Sequence, residues 1–261
     1  MPLRCAYTDL DGTLLGRGAS LFHDGDGEFT LLPSRALEAC HRAGVEVMLI
    51  SGRRRGQVAE PARLIGAGAF CFEIGGGLVI DGEQTWLCGD YQPRDGRTPW
   101  QLIDDSGAPR RLLDAYAGRI EPHSPWHEGR DVTHIFRGRL DVEEANALLE
   151  RDGMSGLRLV DNGTIGPDLH CYHLTPAAAS KAAAVTAHMR ARGYAPDECI
   201  AVGDSREDLG VAPVVGRFFL VANAEPNLPT AANVIRTEAA HGDGFYEAIV
   251  QSLVGTSVGP V

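Results

Sequence analysis

The 261-residue chain is 44% hydrophobic and 23% charged, the balance of an ordinary soluble globular protein of one large or two modest domains. Thirty-five acidic against 24 basic residues give a formal charge of −11, which argues against a nucleic-acid or anionic-membrane surface. No apolar run reaches the roughly 18 residues of a membrane span, and MPLRCAYTDLDG brings in two aspartates before a signal core could form, so a cytoplasmic location is expected.

Short apolar or β-branched runs alternate with amphipathic stretches at both ends of the chain, the pattern of a parallel sheet covered by helices. In chain order the pattern predicts a strand over 4–8, a helix over 34–43 closed by Gly44, a strand over 45–50, a helix over 57–65 and a strand over 69–74. The series resumes with a helix over 178–192, strands over 199–202, 218–221 and 233–236, and a closing helix over 244–253, with 255–261 expected as a frayed tail. Between the two series lies a stretch of different character. It opens with turn-rich sequence (DGEQTW, YQPRDGRTPW) and continues with a helix-like 109–118, a strand over 133–140, a helix over 142–151, and strands over 156–160 and 169–174. Roughly 90 residues suffice for a small α+β domain. The division is therefore 1–81 and 175–261 as one α/β domain, with 82–174 inserted into it.

The first strand runs into Asp9-Leu10-Asp11-Gly12-Thr13. Residues i and i+2 of an extended chain project to one side, so both carboxylates leave the C-terminal edge of the sheet, where open α/β sheets bind ligands. Two such acids repel, which favours a bound divalent cation or a carboxyl that keeps its proton. After the second strand, Ser51-Gly52-Arg53 offers a hydroxyl and backbone N–H groups suited to phosphate oxygens. Ser180-Lys181 opens the long late helix, and Gly203-Asp204-Ser205-Arg206-Glu207-Asp208 follows an apolar strand, with acids at the strand edge and one helical turn on. Each segment alone reads as a turn, a cap or a surface charge. All four in this order, each at a strand end or helix start, are harder to explain that way.

Those four segments resemble the motifs of the haloacid dehalogenase-like (HAD) phosphohydrolases, and the insertion lies where the C2 branch carries its cap. Val221-Ala222-Asn223-Ala224 and Asp243-Gly244-Phe245 are similar to the Cof-type sugar phosphatases of the C2B subclass. Glu73-Ile74-Gly75 departs from that branch, which usually has Glu-Asn-Gly. The resemblance implies an α/β, Rossmann-like parallel-sheet core with an inserted α+β cap of C2B type. It also implies a Mg2+-dependent phosphatase acting on a small phosphorylated metabolite, most simply a sugar phosphate, with no nucleic-acid or membrane partner and as a monomer or homodimer. By the same resemblance Asp9 would be the nucleophile and Asp11 the general acid. Ser51 and Lys181 would hold the phosphoryl oxygens, and Thr13, Gly52, Arg53 and Asn223 would complete the substrate contacts. Magnesium would be held by Asp9, Asp11 (through its backbone carbonyl) and Asp204, with Asp208 supporting the metal or Lys181.

Two other readings share these residues: a sugar phosphomutase on the same core, and a phospho-receiver module, which needs only about 120 residues and no inserted domain. In the insertion, Trp100, Trp126, His127, Arg130 and His134 are candidate leaving-group contacts. The pairs His123/His127 and His170/His173 lack a third ligand at recognisable spacing. Six cysteines without a CxxC pair are expected to be core residues.

Overall fold

A computed structural model describes residues 2–167, 169–229 and 231–254; the tail at 255–261 lies outside the described residues. The first half of the larger unit comprises β1 (Cys5–Thr8), α1 (Leu32–Ala43), β2 (Glu46–Ile50), α2 (Arg55–Ile65), β3 (Ala69–Phe72), β4 (Gly77–Ile80) and β5 (Glu83–Trp86). Then come α3 (Pro99–Asp105), α4 (Ala108–Ala115), β6 (Ile120–Pro122), β7 (His134–Gly138), α5 (Val142–Arg151), β8 (Leu157–Gly166) and β9 (Leu169–Pro176). The chain closes with α6 (Lys181–Arg192), β10 (Cys199–Gly203), α7 (Arg206–Leu209), β11 (Arg217–Leu220), β12 (Val234–Arg236) and α8 (His241–Val254).

Eight strands form one sheet in the order β12-β11-β10-β1-β2-β3-β4-β5, and four form a second in the order β6-β7-β9-β8. The six strands from β12 to β3 run parallel, and β4 and β5 add an antiparallel edge. Side-chain alternation sorts the sheet's residues into two cores. Ala6, Val47 and Leu49 face Leu37, Val58 and Phe245 of α1, α2 and α8. Cys5, Tyr7, Met48 and Ile50 face Ala184, Val185 and Met189 of α6. Chain order reverses between β1 and β10, so the crevice at their C-terminal ends is the switch point of the fold.

The structure bears out the expected fold class and corrects some elements. The third strand stops at Phe72 because Glu73 and Ile74 both take positive φ, and the turn that follows feeds β4. DGEQTW, read as turn-rich, contains β5, so the larger sheet runs on to Trp86. Pro99–Asp105 is a helix with a Thr98 capping box that lacks long apolar periodicity. In the antiparallel four-stranded sheet, Phe136, Leu159, Tyr172 and Leu174 pack on Ile103, Leu112 and Leu149 of α3 to α5. Each such fully buried large side chain contributes about 1.5–3 kcal/mol. Ile135, Cys171 and His173, at the alternate positions, face a cleft against the larger sheet. All six cysteines are buried and free.

Candidate active site

At the end of β1 the chain turns through Gly12 at φ +80, a conformation L side chains rarely adopt. A Cβ there would stand 2.4 Å from Asp204 Oδ2, so glycine is what lets the turn approach the end of β10. Asn223 braces this turn, donating from Nδ2 to the Gly12 carbonyl (2.8 Å) while its Oδ1 accepts from His241 N (2.8 Å). Thr13 is fully buried and donates its hydroxyl to Asp204 Oδ1 at 2.9 Å.

Ser180 caps α6 through Ala183 N, and this aims Lys181, the first helical residue, back into the crevice. Lys181 Nζ is buried and donates to Asp9 Oδ1 at 2.7 Å and to Asp208 Oδ1 at 2.6 Å. The other Asp208 oxygen accepts from Ser205 Oγ (2.6 Å), Ser205 N (3.1 Å) and Asp204 N (3.3 Å), which locks the start of α7. Burial works against the Lys181 charge, but Asp208 and Asp9 outweigh it and hold the ammonium protonated well above the ordinary lysine value. One ammonium does not balance the carboxylates around it. Burial, then Asp208, pushes Asp204 up to about 7, and burial with the neighbouring acids pushes Asp9 up despite Lys181.

Asp9, Asp204 and Asp208 each place a carboxylate oxygen within 4.8 Å of the others. A crowded, under-neutralised set of hard oxygen donors fits a small divalent cation of the magnesium class. Asp11 stands apart from that set. Its side chain is 58% exposed and pairs with Arg53, whose Nε donates to Oδ2 at 2.6 Å and whose Nη2 donates to Oδ1. Ser51 is buried, and its Oγ accepts from Arg53 N at 3.1 Å.

These groups open into a cavity of about 540 Å³ whose floor includes Asp9, Asp11, Ser51, Gly52, Arg53, Lys181 and Asp204. Of the residues read from the sequence, Thr13, Asp208 and Asn223 stand behind this floor and shape it. The roof includes Trp126 and Arg130, as expected, and also His123, Ile135, Asn162, Cys171 and His173. Trp100, His127 and His134 instead line a separate cavity of about 300 Å³. Trp100 and His134 stack at 4.2 Å, and His134 is the β7 neighbour of Ile135, so the pleat turns it to the other face. The pair His170/His173 diverges likewise, His170 bonding Asp161 at 2.8 Å. The alternation LHCYHL in β9, with Cys171 and His173 sharing one face against Tyr172 and Leu174, is the sequence signal that could have found the roof.

Floor and roof are joined by buried polar contacts. Glu73, fully buried at positive φ, accepts from Asp131 N (2.9 Å), Val132 N (3.0 Å) and both Thr133 N (2.7 Å) and Oγ1 (3.0 Å), with Arg130 at 3.7 Å. Arg130 Nη1 also donates to the Gly52 carbonyl at 3.1 Å, and Arg158 of β8 donates to Glu207 of α7 at 2.9 Å. Burial, then Arg130 and Lys181, holds His173 well below the ordinary imidazole range, so it faces the cavity neutral. Its Nδ1 and that of His123 are buried without a hydrogen-bond partner.

A sequence model of haloacid dehalogenase-like hydrolases matches residues 160–249. The chain is 35% identical to the phosphoglycolate phosphatase of Halobacterium salinarum over 252 residues, covering 92% of this chain and 93% of that one. It is 27% identical to the phosphoglycolate phosphatase of Methanoculleus marisnigri, covering 95% of each. The fold matches the sucrose-phosphatase of Synechocystis sp. with a TM-score of 0.68 at 17% identity, over 97% of this chain and 98% of the other. The chain belongs to the haloacid dehalogenase-like hydrolases.

Proposed function

We propose that this hydrolase is a Mg2+-dependent phosphatase that cleaves a small phosphate monoester through an aspartyl-phosphate on Asp9. The observation that carries the reading is the buried Asp9–Lys181–Asp208 chain at the switch point, open on one side to the cavity. Lys181 occupies Asp9 Oδ1 and so leaves Oδ2 as the attacking oxygen. Attack by that oxygen on phosphorus splits one slow hydrolysis into two faster displacements. Ser51 and Lys181 hold phosphoryl oxygens and neutralise charge, which is most of what phosphoryl transfer asks of a protein. Asp11 gives its proton to the leaving oxygen and then takes one from the incoming water. Before it can do so, the Arg53 fork must move to the phosphate or release one Asp11 oxygen.

Magnesium, held by Asp9, Asp204 and the Asp11 backbone carbonyl, would supply charge neutralisation at the transferring group. Asp208 accepts from Lys181 and from the Ser205 turn, and so fixes Lys181 and the loop. The segment after β5, from α3 through β9, acts as a cap whose roof residues read the leaving group and exclude water.

The leaving group is that of a sugar phosphate in the first reading. Phosphoglycolate is the second, supported by the names of the curated relatives. Phosphate release from a panel of sugar phosphates, 2-phosphoglycolate and p-nitrophenyl phosphate, with Mg2+ and with chelator, tests the reading. Turnover of at least one ester that stops with chelator and in Asp9→Asn is expected. Turnover that survives both would overturn it.

A further inference from the structure

The opposite edge of the larger sheet carries a second polar cluster that the catalytic reading does not use. Cys5, Glu46 and Cys199 are the first residues of β1, β2 and β10, and His188 comes down on them from α6. Cys5 is four residues, or about 13 Å of strand, from Asp9. One thiol sulfur, one carboxylate oxygen and one imidazole nitrogen, from Cys5, Glu46 and His188, all lie within 4.8 Å of one another.

His188 is fully buried, yet its Nε2 has no hydrogen-bond partner. That nitrogen stands 3.4 Å from Glu46 Oε1. Two ligand atoms, each about 2.0–2.1 Å from a tetrahedral zinc ion, stand about 3.3–3.4 Å apart. A direct imidazole–carboxylate contact has the same separation, and it leaves the two atoms where two ligands of one ion would stand. The outer groups are arranged as metal sites require. The Tyr7 hydroxyl lies 2.9 Å from His188 Nδ1 and holds the ring with Nε2 toward Glu46. Glu46 is oriented by Arg192 Nη2 (3.0 Å to Oε1) and by the Tyr194 hydroxyl (2.9 Å to Oε2). The Glu46 side chain keeps 17% of its exposure, which gives an ion a way in.

We propose that Cys5, Glu46 and His188 form a second metal site, separate from the catalytic cleft, for a borderline-soft divalent cation of the zinc class. A mixed sulfur, nitrogen and oxygen set prefers zinc or cobalt to magnesium. Binding would exchange the Cys5 thiol proton for the ion and cross-link β1, β2 and α6 beneath the sheet.

The test is a Co2+ titration of the full chain, followed by absorption. Cobalt bound at this site gives a thiolate-to-cobalt charge-transfer band that a carboxylate site does not give, and Zn2+ in excess removes it. The band is expected in the wild type, lost in Cys5→Ser and weakened at least tenfold in apparent affinity in His188→Gln. With saturating Mg2+ present to occupy the catalytic carboxylates, Zn2+ should raise the melting temperature of the wild type and leave that of Cys5→Ser unchanged, while Mg2+-dependent phosphate release by Cys5→Ser stays within about twofold. Cys171 lies in the catalytic cavity, so Cys171→Ser serves as the control, and the band must survive it. No band in the wild type, a band that survives Cys5→Ser, or a band lost in Cys171→Ser would overturn the proposal. If Cys5→Ser does not fold, the wild-type, His188→Gln and Cys171→Ser titrations decide alone.

Discussion

Replacing Asp204 by asparagine should make the metal-free protein more stable at neutral pH and no longer stabilised by magnesium. Asp204 is pushed from the ordinary 3.8 up to about 7, by burial first and Asp208 second. Between those values the folded protein holds a proton that the unfolded chain has released, so stability falls as pH rises from about 4 to about 7. A move from 3.8 to about 7 corresponds to roughly 4 kcal/mol at about 1.4 kcal/mol per pH unit. The side chain keeps some solvent contact, which brings the working figure to about 2–4 kcal/mol. At roughly 2–4 °C per kcal/mol this is a melting difference of about 5–15 °C. Thermal melts of wild type and Asp204→Asn in chelator, from pH 4 to pH 8, should coincide at the acid end and diverge toward pH 8, with the variant higher. Groups with the opposite sign, such as His173, cancel in the difference between the two proteins. Magnesium at pH 8 should raise the wild type toward the variant and leave the variant unmoved. A gap that is constant with pH, or a wild type that is the more stable at pH 8 in chelator, would refute the reasoning.

Three further outcomes follow from the floor and the roof of the cavity. Asp11→Asn should lose far more activity on an alkyl phosphate than on p-nitrophenyl phosphate, whose leaving group needs little protonation; equal losses, compared as kcat/KM, would remove Asp11 from the acid role. Gly12→Ala forces a side chain into positive φ and against Asp204, so kcat/KM should drop roughly 100-fold or more in a chain that still folds by circular dichroism. A drop under about fivefold would show that the turn tolerates displacement. Glu73→Gln leaves backbone N–H groups facing an amide and Arg130 without its counter-charge, a loss of about 3 kcal/mol or more in chemical denaturation. A loss under about 1 kcal/mol would mean that the cap segment is held mainly by other contacts.

The parallel sheet was legible because its central strands are apolar on both faces and bounded by turns, and because Gly44 closes α1 as a left-handed cap. The floor of the site was legible because its residues sit within a few positions of strand ends, where fold topology brings them together. What the chain hides is set by long-range pairing. EQTW carries no strong strand signal, and β5 forms because β4 offers it an edge. Which faces of β7 and β9 roof the cleft depends on what the helices take from the other side, so His134 and Trp100 could not be told from His123 and His173 by residue type. Thr13 and Asn223 are placed by hydrogen bonds across 191 and 211 residues, which no local pattern records. Ile74 is fully buried, and the floor-to-roof clamp is made by Glu73 beside it.

The central claim is that Asp9 carries the phosphoryl group, and borohydride trapping tests it most directly. An acyl phosphate on a carboxylate is reduced to the alcohol, so a single-turnover mixture quenched into borohydride should yield the Asp9 peptide with homoserine in place of aspartate. The conversion should require both the phosphate ester and Mg2+, and Asp9→Asn should abolish both trapping and turnover. Normal phosphate release with no reduced Asp9 at any quench time, or trapping at a different carboxylate, would contradict the account.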